Sequence, residues 1–200
     1  MAVIPAVYGL AVPGQVFGQS DDIASSLWDQ RISDLLDSKK DDDIVLTAVG
    51  DMIWTRELTH FDEPEFRNLY RVLQDAEITY GNLEMSLNER PDLQQGLYNY
   101  GKDREFGWEI AKLGVNLVSL ANNHAFDFDV EGFKETLRIL GQSGISHAGG
   151  GLSLQEARQA SRQQFDKTRF SLLSYYSSDG ATSNETGPAI ATINAPKVLI

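Results

Sequence analysis

The sequence predicts an α/β fold built on a mainly parallel sheet, and two observations carry that expectation. Strand-like runs at 44–49, 77–80, 115–120 and 145–148 alternate with helix-like segments near 63–76, 105–113, 130–140 and 154–160, the order that strand–helix–strand units produce. Three of the runs end on a polar cluster: Gly50-Asp51, Gly81-Asn82-Leu83-Glu84, and Ala121-Asn122-Asn123-His124. In neighbouring parallel strands these clusters converge at one sheet edge, where open α/β folds place their ligands. Oxygen and imidazole donors gathered there suit a divalent metal and phosphate better than an apolar ligand.

Each element has a local reason. In the third helix, Phe133, Leu137 and Leu140 share a face. The strand at 145–148 runs into Gly149-Gly150-Gly151, a turn that can cradle an anion or simply carry a strand into a helix. After residue 160 the pattern changes. Arg169 to Tyr176 and Pro188 to Asn194 are strand-like with no helix between them, as expected for the start of a second sheet or an antiparallel edge. The domain expected over 44–200 therefore reads as C-terminally incomplete.

Two regions precede that domain. Residues 1–20 are uncharged, rich in small and apolar types, and broken by Pro5, Gly9, Pro13, Gly14 and Gly18. They are too interrupted to span a membrane and lack the basic start of a secretory leader. The remnant of an export signal and a flexible apolar N-terminus both fit. Residues 21–43 read as a helix and an acidic linker, the helix over 21–40 carrying Ile23, Leu27, Ile32, Leu35 and Leu36 and closed by Lys39-Lys40. The run Asp41-Asp42-Asp43 reads as a solvated linker rather than a metal site, because it precedes a strand and lies at the opposite edge from the other clusters.

Composition narrows the function classes. Two hundred residues, 42% of them apolar, are enough for one domain with a core. The formal charge of −12, with no Lys/Arg stripe, argues against a non-specific hold on nucleic acid or anionic lipid. The absence of cysteine removes disulfides, thiolate nucleophiles and Cys-based zinc sites.

The motifs Gly50-Asp51-Met52, Gly81-Asn82-Leu83-Glu84 and Ala121-Asn122-Asn123-His124 with Asp127, followed by Thr136 to Leu140 and by Gly149-Gly150-Gly151 before Glu156-Ala157, resemble the CapA family of capsule and poly-γ-glutamate synthesis proteins over about residues 44–195. That resemblance implies a fold like the calcineurin-like metallophosphoesterases, an α/β/β/α sandwich of which this chain holds the first half and the start of the second sheet. It implies Asp51, Glu84 and Asn123 as ligands of divalent manganese, iron or zinc. His124 would serve as acid or charge stabiliser toward a phosphoryl group, with Asp127 fixing its tautomer and Asn82 and Asn122 as supporting hydrogen-bond partners. It further implies phosphoester hydrolysis in envelope-polymer synthesis, or a non-catalytic assembly role in the same machinery. Other polymer-synthesis proteins at the membrane become expected partners, self-association is expected from an open sheet edge, and no nucleic acid is expected. The location implied is the cell envelope or beyond it, with the cytoplasm as the alternative. The family's distal histidine motifs have no counterpart here, since the histidines are His60, His124 and His147.

Each of these residues has a plainer reading. Asp51 can start a turn or cap a helix, Glu84 can be an exposed loop acid, and Asn122 or Asn123 can cap the following helix. His60, beside Asp62 and Glu63, suits a solvated surface, and His147 before the glycines suits a structural role.

Overall fold

The computed structural model describes residues 30–31, 33–34, 37–40, 43–54, 64–89, 101–165, 167–177 and 187–193. At its centre is a four-stranded sheet of β1 (Leu46–Met52), β2 (Ile78–Leu83), β5 (Leu117–Ser119) and β6 (Ser146–Ala148), in that spatial order. Every pairing in it is parallel. Helices α1 (Pro64–Gln74), α2 (Glu105–Lys112) and α3 (Asp129–Gln142) fill the three crossovers in turn. Strands added one after another in a single direction, with right-handed crossovers, put all three helices on one face. The contacts agree: the hydroxyls of Thr47 and Thr79 donate to the α1 carbonyls of Val72 and Leu73, while Ile110 of α2 and Phe133, Ile139 and Leu140 of α3 share a core with Met52, Leu83 and Val118.

Thr136 fastens α3 to the segment after β2. Its buried hydroxyl donates toward the Leu87 and Gly132 carbonyls and accepts the Leu87 N–H at 3.0 Å. Leu87 lies in the short strand β3 (Ser86–Leu87), which pairs with β4 (Gly101–Lys102).

The register of β1 on β2 contains a bulge. Ala48 faces Tyr80, yet Asp51 faces Asn82, so two residues of β1 oppose the single Gly81. Bulges are uncommon between parallel strands and re-aim the side chains beyond them. Without this one Asp51 would sit opposite Leu83, which is fully buried on the helix side. With it, Val49 and Met52 both point to the helices and converge over Gly81, where a Cβ would lie 2.7 Å from the Met52 sulfur and 2.8 Å from the Val49 methyl. Glycine is required there, and Asp51 is turned to the opposite face.

Beyond β6 the chain builds small pieces. β7 (Gly150–Gly151) pairs antiparallel with β11 (Ala189–Ile190), β8 (Ser161–Phe165) forms a hairpin with β9 (Thr168–Leu172), and β10 (Tyr176–Ser177) pairs parallel with β12 (Thr192–Ile193). The helix expected at 154–160 is shorter, α4 (Leu154–Ala157), because the chain turns into β8. Ser153 caps α4, accepting the Glu156 N–H, while the Glu156 carboxylate accepts the Leu152 N–H at 2.9 Å. Gly150 is fixed by packing, since a Cβ there would meet Leu120 and Phe133 at 2.9 Å.

Ahead of the sheet, Gln30, Arg31, Ser33, Asp34 and Asp37 are helical, and Lys39 pairs with Glu77, whose other oxygen accepts the Val45 N–H. The leader-like segment 1–20, most of the predicted 21–40 helix, His60 and its acidic neighbours lie outside the described residues. Among the described residues no helix is long and apolar enough to cross a membrane.

Candidate metal centre at the strand ends

The C-terminal ends of β1, β2 and β5 bring six of the seven predicted site residues into one connected group. Asn82 donates through Nδ2 to Asp51 Oδ1 at 2.8 Å. Asn122, 4% exposed, donates to Asn82 Oδ1 at 3.0 Å and to the Leu83 carbonyl at 2.8 Å, and its own oxygen accepts the His124 N–H at 3.0 Å. One buried amide therefore ties the end of β2 to the loop after β5. His124 Nδ1 and Asp127 Oδ2 lie 2.9 Å apart. The residues from 123 to 128 form turns rather than the first turn of a helix, but the three-residue spacing still brings Asp127 back to the imidazole.

Asn122 does not cap α3. Its oxygen closes a local turn at His124, and the first N–H groups of α3 are taken instead by Asp129, whose Oδ1 accepts from Glu131 and Gly132. The seventh residue, Asn123, is exposed on the same loop, and no hydrogen bond or short distance ties it to the carboxylates.

Glu84 sits between the two halves of the group. Its Oε1 lies 3.9 Å from His124 Nε2, beyond hydrogen-bond range. Burial raises the Glu84 pKa above the ordinary carboxylate value, the neighbouring Asp51 carboxyl raises it further, and His124 opposes them. Two neighbouring carboxylates on a partly buried edge repel when both are ionised, and a cation between them removes that cost.

The donor set suits one hard or borderline divalent ion held by Asp51 and Glu84, with amide oxygen and water completing its shell. Among the described residues no three His, Cys, Asp or Glu side chains stand close enough together to hold a metal, so an ion here would have two carboxylates as its charged ligands.

Sequence reading missed Tyr80. It lies on the same face of β2 as Asn82, near Ser119 of the neighbouring strand, whose hydroxyl lies 2.6 Å from that of Ser174. Burial raises the Tyr80 pKa, and the nearby Asp51 charge raises it further. Two-residue alternation from Asn82 was the available signal. His147 lies on β6, on the helix side of the sheet, away from this group.

The chain matches the bacterial capsule synthesis protein family PGA_cap over residues 45–197. It is 36% identical over 154 residues to each of two uncharacterized proteins of Sinorhizobium fredii, y4sH and y4uA, covering 74% of this chain and 33% of theirs. It is also 22% identical over 191 residues to the capsule biosynthesis protein CapA of Bacillus anthracis, covering 89% of this chain and 46% of that protein. The chain thus spans between a third and a half of the length of these relatives. The family match covers all three motif strands and every residue of the strand-end group, and the chain belongs to the PGA_cap family of bacterial capsule synthesis proteins.

Proposed function

We propose that this domain carries the divalent-cation site of a capsule or poly-γ-glutamate synthesis protein and that the site acts on a phosphoester. The proposal includes the fold: a metallophosphoesterase-like α/β/β/α sandwich, of which the four-stranded sheet and its helices are one half. The observation that carries the reading is the convergence of Asp51, held by Asn82, and Glu84 at the strand ends, with an imidazole 3.9 Å from Glu84 and a carboxylate behind that imidazole.

In this reading Asp51 and Glu84 hold manganese, iron or zinc, and Asn123, the exposed amide of the His124 loop, would complete the set. The ion, when bound, polarises a phosphoryl oxygen and lowers the pKa of water. The protein supplies the orientation. Asn82 leaves one oxygen of Asp51 engaged and so fixes the carboxylate plane. Asn122 holds that arrangement against the His124 loop. Asp127, accepting from Nδ1, keeps the opposite nitrogen of His124 on the side of the carboxylates, where a protonated imidazole gives a proton to a leaving oxygen or offsets charge on the phosphoryl group.

Family membership and the absence of a membrane-spanning helix among the described residues are compatible with work at the cell envelope. Partner proteins of polymer synthesis belong to the same proposal.

The test is hydrolysis of bis-p-nitrophenyl phosphate with manganese, using the longest natural chain that carries this domain. His124→Ala is expected to lower kcat by about 10²–10⁴-fold, the range for a lost general acid. Unchanged turnover in that variant removes His124 from the mechanism. Ion binding without turnover in the parent chain points instead to a non-catalytic assembly or polymer-handling role.

A further inference from the structure

A second polar feature lies on the other face of the sheet and takes no part in the strand-end group. The residues of the four strands that point toward the helices are Thr47, Val49, Met52, Thr79, Gly81, Leu83, Val118 and, on β6, His147, as the pairing registers require. His147 is the one ionisable side chain among them. It is mostly buried, and burial lowers its pKa against the opposing charge of Glu156, so the imidazole is neutral at physiological pH with one donor and one acceptor nitrogen. A buried polar group on a core-facing position calls for a partner, and no residue of the strand-end site supplies one.

His147 does not pack into solid core. It opens onto a cleft of about 360 Å³ between α3, β6, β7 and α4, lined among others by Leu137, Gly150, Gly151, Leu152 and Glu156. That volume is within the range of small-molecule sites. Leu152 is 52% exposed at the cleft, an apolar side chain left in water. One Glu156 oxygen accepts the Leu152 N–H, which fixes the carboxylate in place with its other oxygen still able to accept. The lining is mixed: Leu137, Ala148, Leu152 and Ala160 are apolar, Gln159 and Ser161 are polar, and the solvent-exposed Glu156 carboxylate and the neutral His147 imidazole are its ionisable groups, with no Lys or Arg.

We propose that this cleft is a second ligand site, distinct from the strand-end carboxylates, and that it takes a small organic cation of the alkylammonium class. The ammonium donates to Glu156 and to the unprotonated nitrogen of His147, while the alkyl part lies on Leu137 and Leu152. A neutral ligand of the same shape lacks the charge-assisted hydrogen bond, and an anion meets Glu156 head on.

The experiment is an NMR titration of the folded domain with n-butylammonium chloride, with n-butanol and sodium butyrate as controls. The reporters are the His147 ring and the amides of Gly151 and Leu152, with the Asn82 side-chain amide reporting on the strand-end site. Saturable shifts at the cleft reporters are expected in the millimolar range, as a ligand of five heavy atoms permits. Butanol should bind about tenfold more weakly, or worse, for want of the charge. Glu156→Gln keeps an oxygen for the Leu152 N–H and should weaken butylammonium by a similar factor, with an unchanged melting temperature confirming the fold. Equal response to butanol, no saturable response at the cleft, unaltered binding in Glu156→Gln, or shifts confined to Asn82 would each overturn the assignment.

Discussion

Glu84 and Asp51 are neighbouring carboxyl groups, and among the described residues no Lys or Arg is hydrogen-bonded to either. The cost of ionising both falls on Glu84. Because its folded pKa stands above the ordinary value of 4.5, the folded state holds the Glu84 proton more tightly than the unfolded chain. The stability linked to it is complete below that ordinary value and is lost as pH rises through the raised folded value. Glu84→Gln should therefore raise the melting temperature at pH 7 in the presence of chelator and leave it nearly unchanged at pH 4. A variant less stable than the parent at both values would show that the two carboxylates do not oppose each other. At this scale the sequence was informative about position: Asp51, Asn82, Glu84, Asn122, His124 and Asp127 were named from strand-end position and from the family resemblance, and the structure brings them to one sheet edge. The depth of Asn122 was not legible, because nothing in a pair of adjacent asparagines says which is buried. The structure buries Asn122 and exposes Asn123.

The bulge in β1 is the element that makes this group. It separates two glycines with opposite expectations. At Gly81 an added methyl meets Met52 and Val49 below 3 Å, whereas at Gly50 it meets nothing within 4 Å, and neither glycine has a positive φ. Gly81→Ala should cost about 1–3 kcal/mol by overpacking. Gly50→Ala should be neutral or stabilising by up to about 1 kcal/mol through the unfolded chain. Urea denaturation of the two variants checks both, and equal losses would contradict the assigned register. Thr136→Val, close in volume but without the hydroxyl, should cost about 1–3 kcal/mol because it leaves the Leu87 N–H without its acceptor inside the core; a loss below about 0.5 kcal/mol would show that water replaces it.

Element types were legible where apolar periodicity was strong, as in α3 and the four central strands. β8 was missed because Ser161, Arg162, Gln163 and Gln164 carry no apolar alternation, and the strand is defined by its pairing with β9. The bulge was invisible for a related reason, since the local run reads as an unbroken strand and the extra residue appears only against β2.

For the whole molecule, the order of strands and helices predicted a parallel sheet with its chemistry at one edge, and the structure has that arrangement. The later segments pair as short two-stranded pieces, including an antiparallel contact of β11 on β7; partners so distant in sequence cannot be read from local patterns. A cation that binds only the folded state raises stability by mass action, and it also relieves the repulsion on Glu84. Manganese should thus raise the melting temperature of the parent domain more at pH 7 than at pH 5, where protons compete for the same oxygens. An equal or larger rise at pH 5 would place the ion elsewhere.

The central claim is that the strand-end carboxylates form one divalent-cation site. Titration calorimetry of the domain with manganese at pH 7 tests it most directly. The expected result is one ion per chain, bound at least about tenfold more weakly in Asp51→Asn and in Glu84→Gln, the loss of roughly 1.4 kcal/mol for each ligand. Absence of binding to the parent domain, or undiminished binding in the Asp51→Asn, Glu84→Gln double variant, would contradict the account.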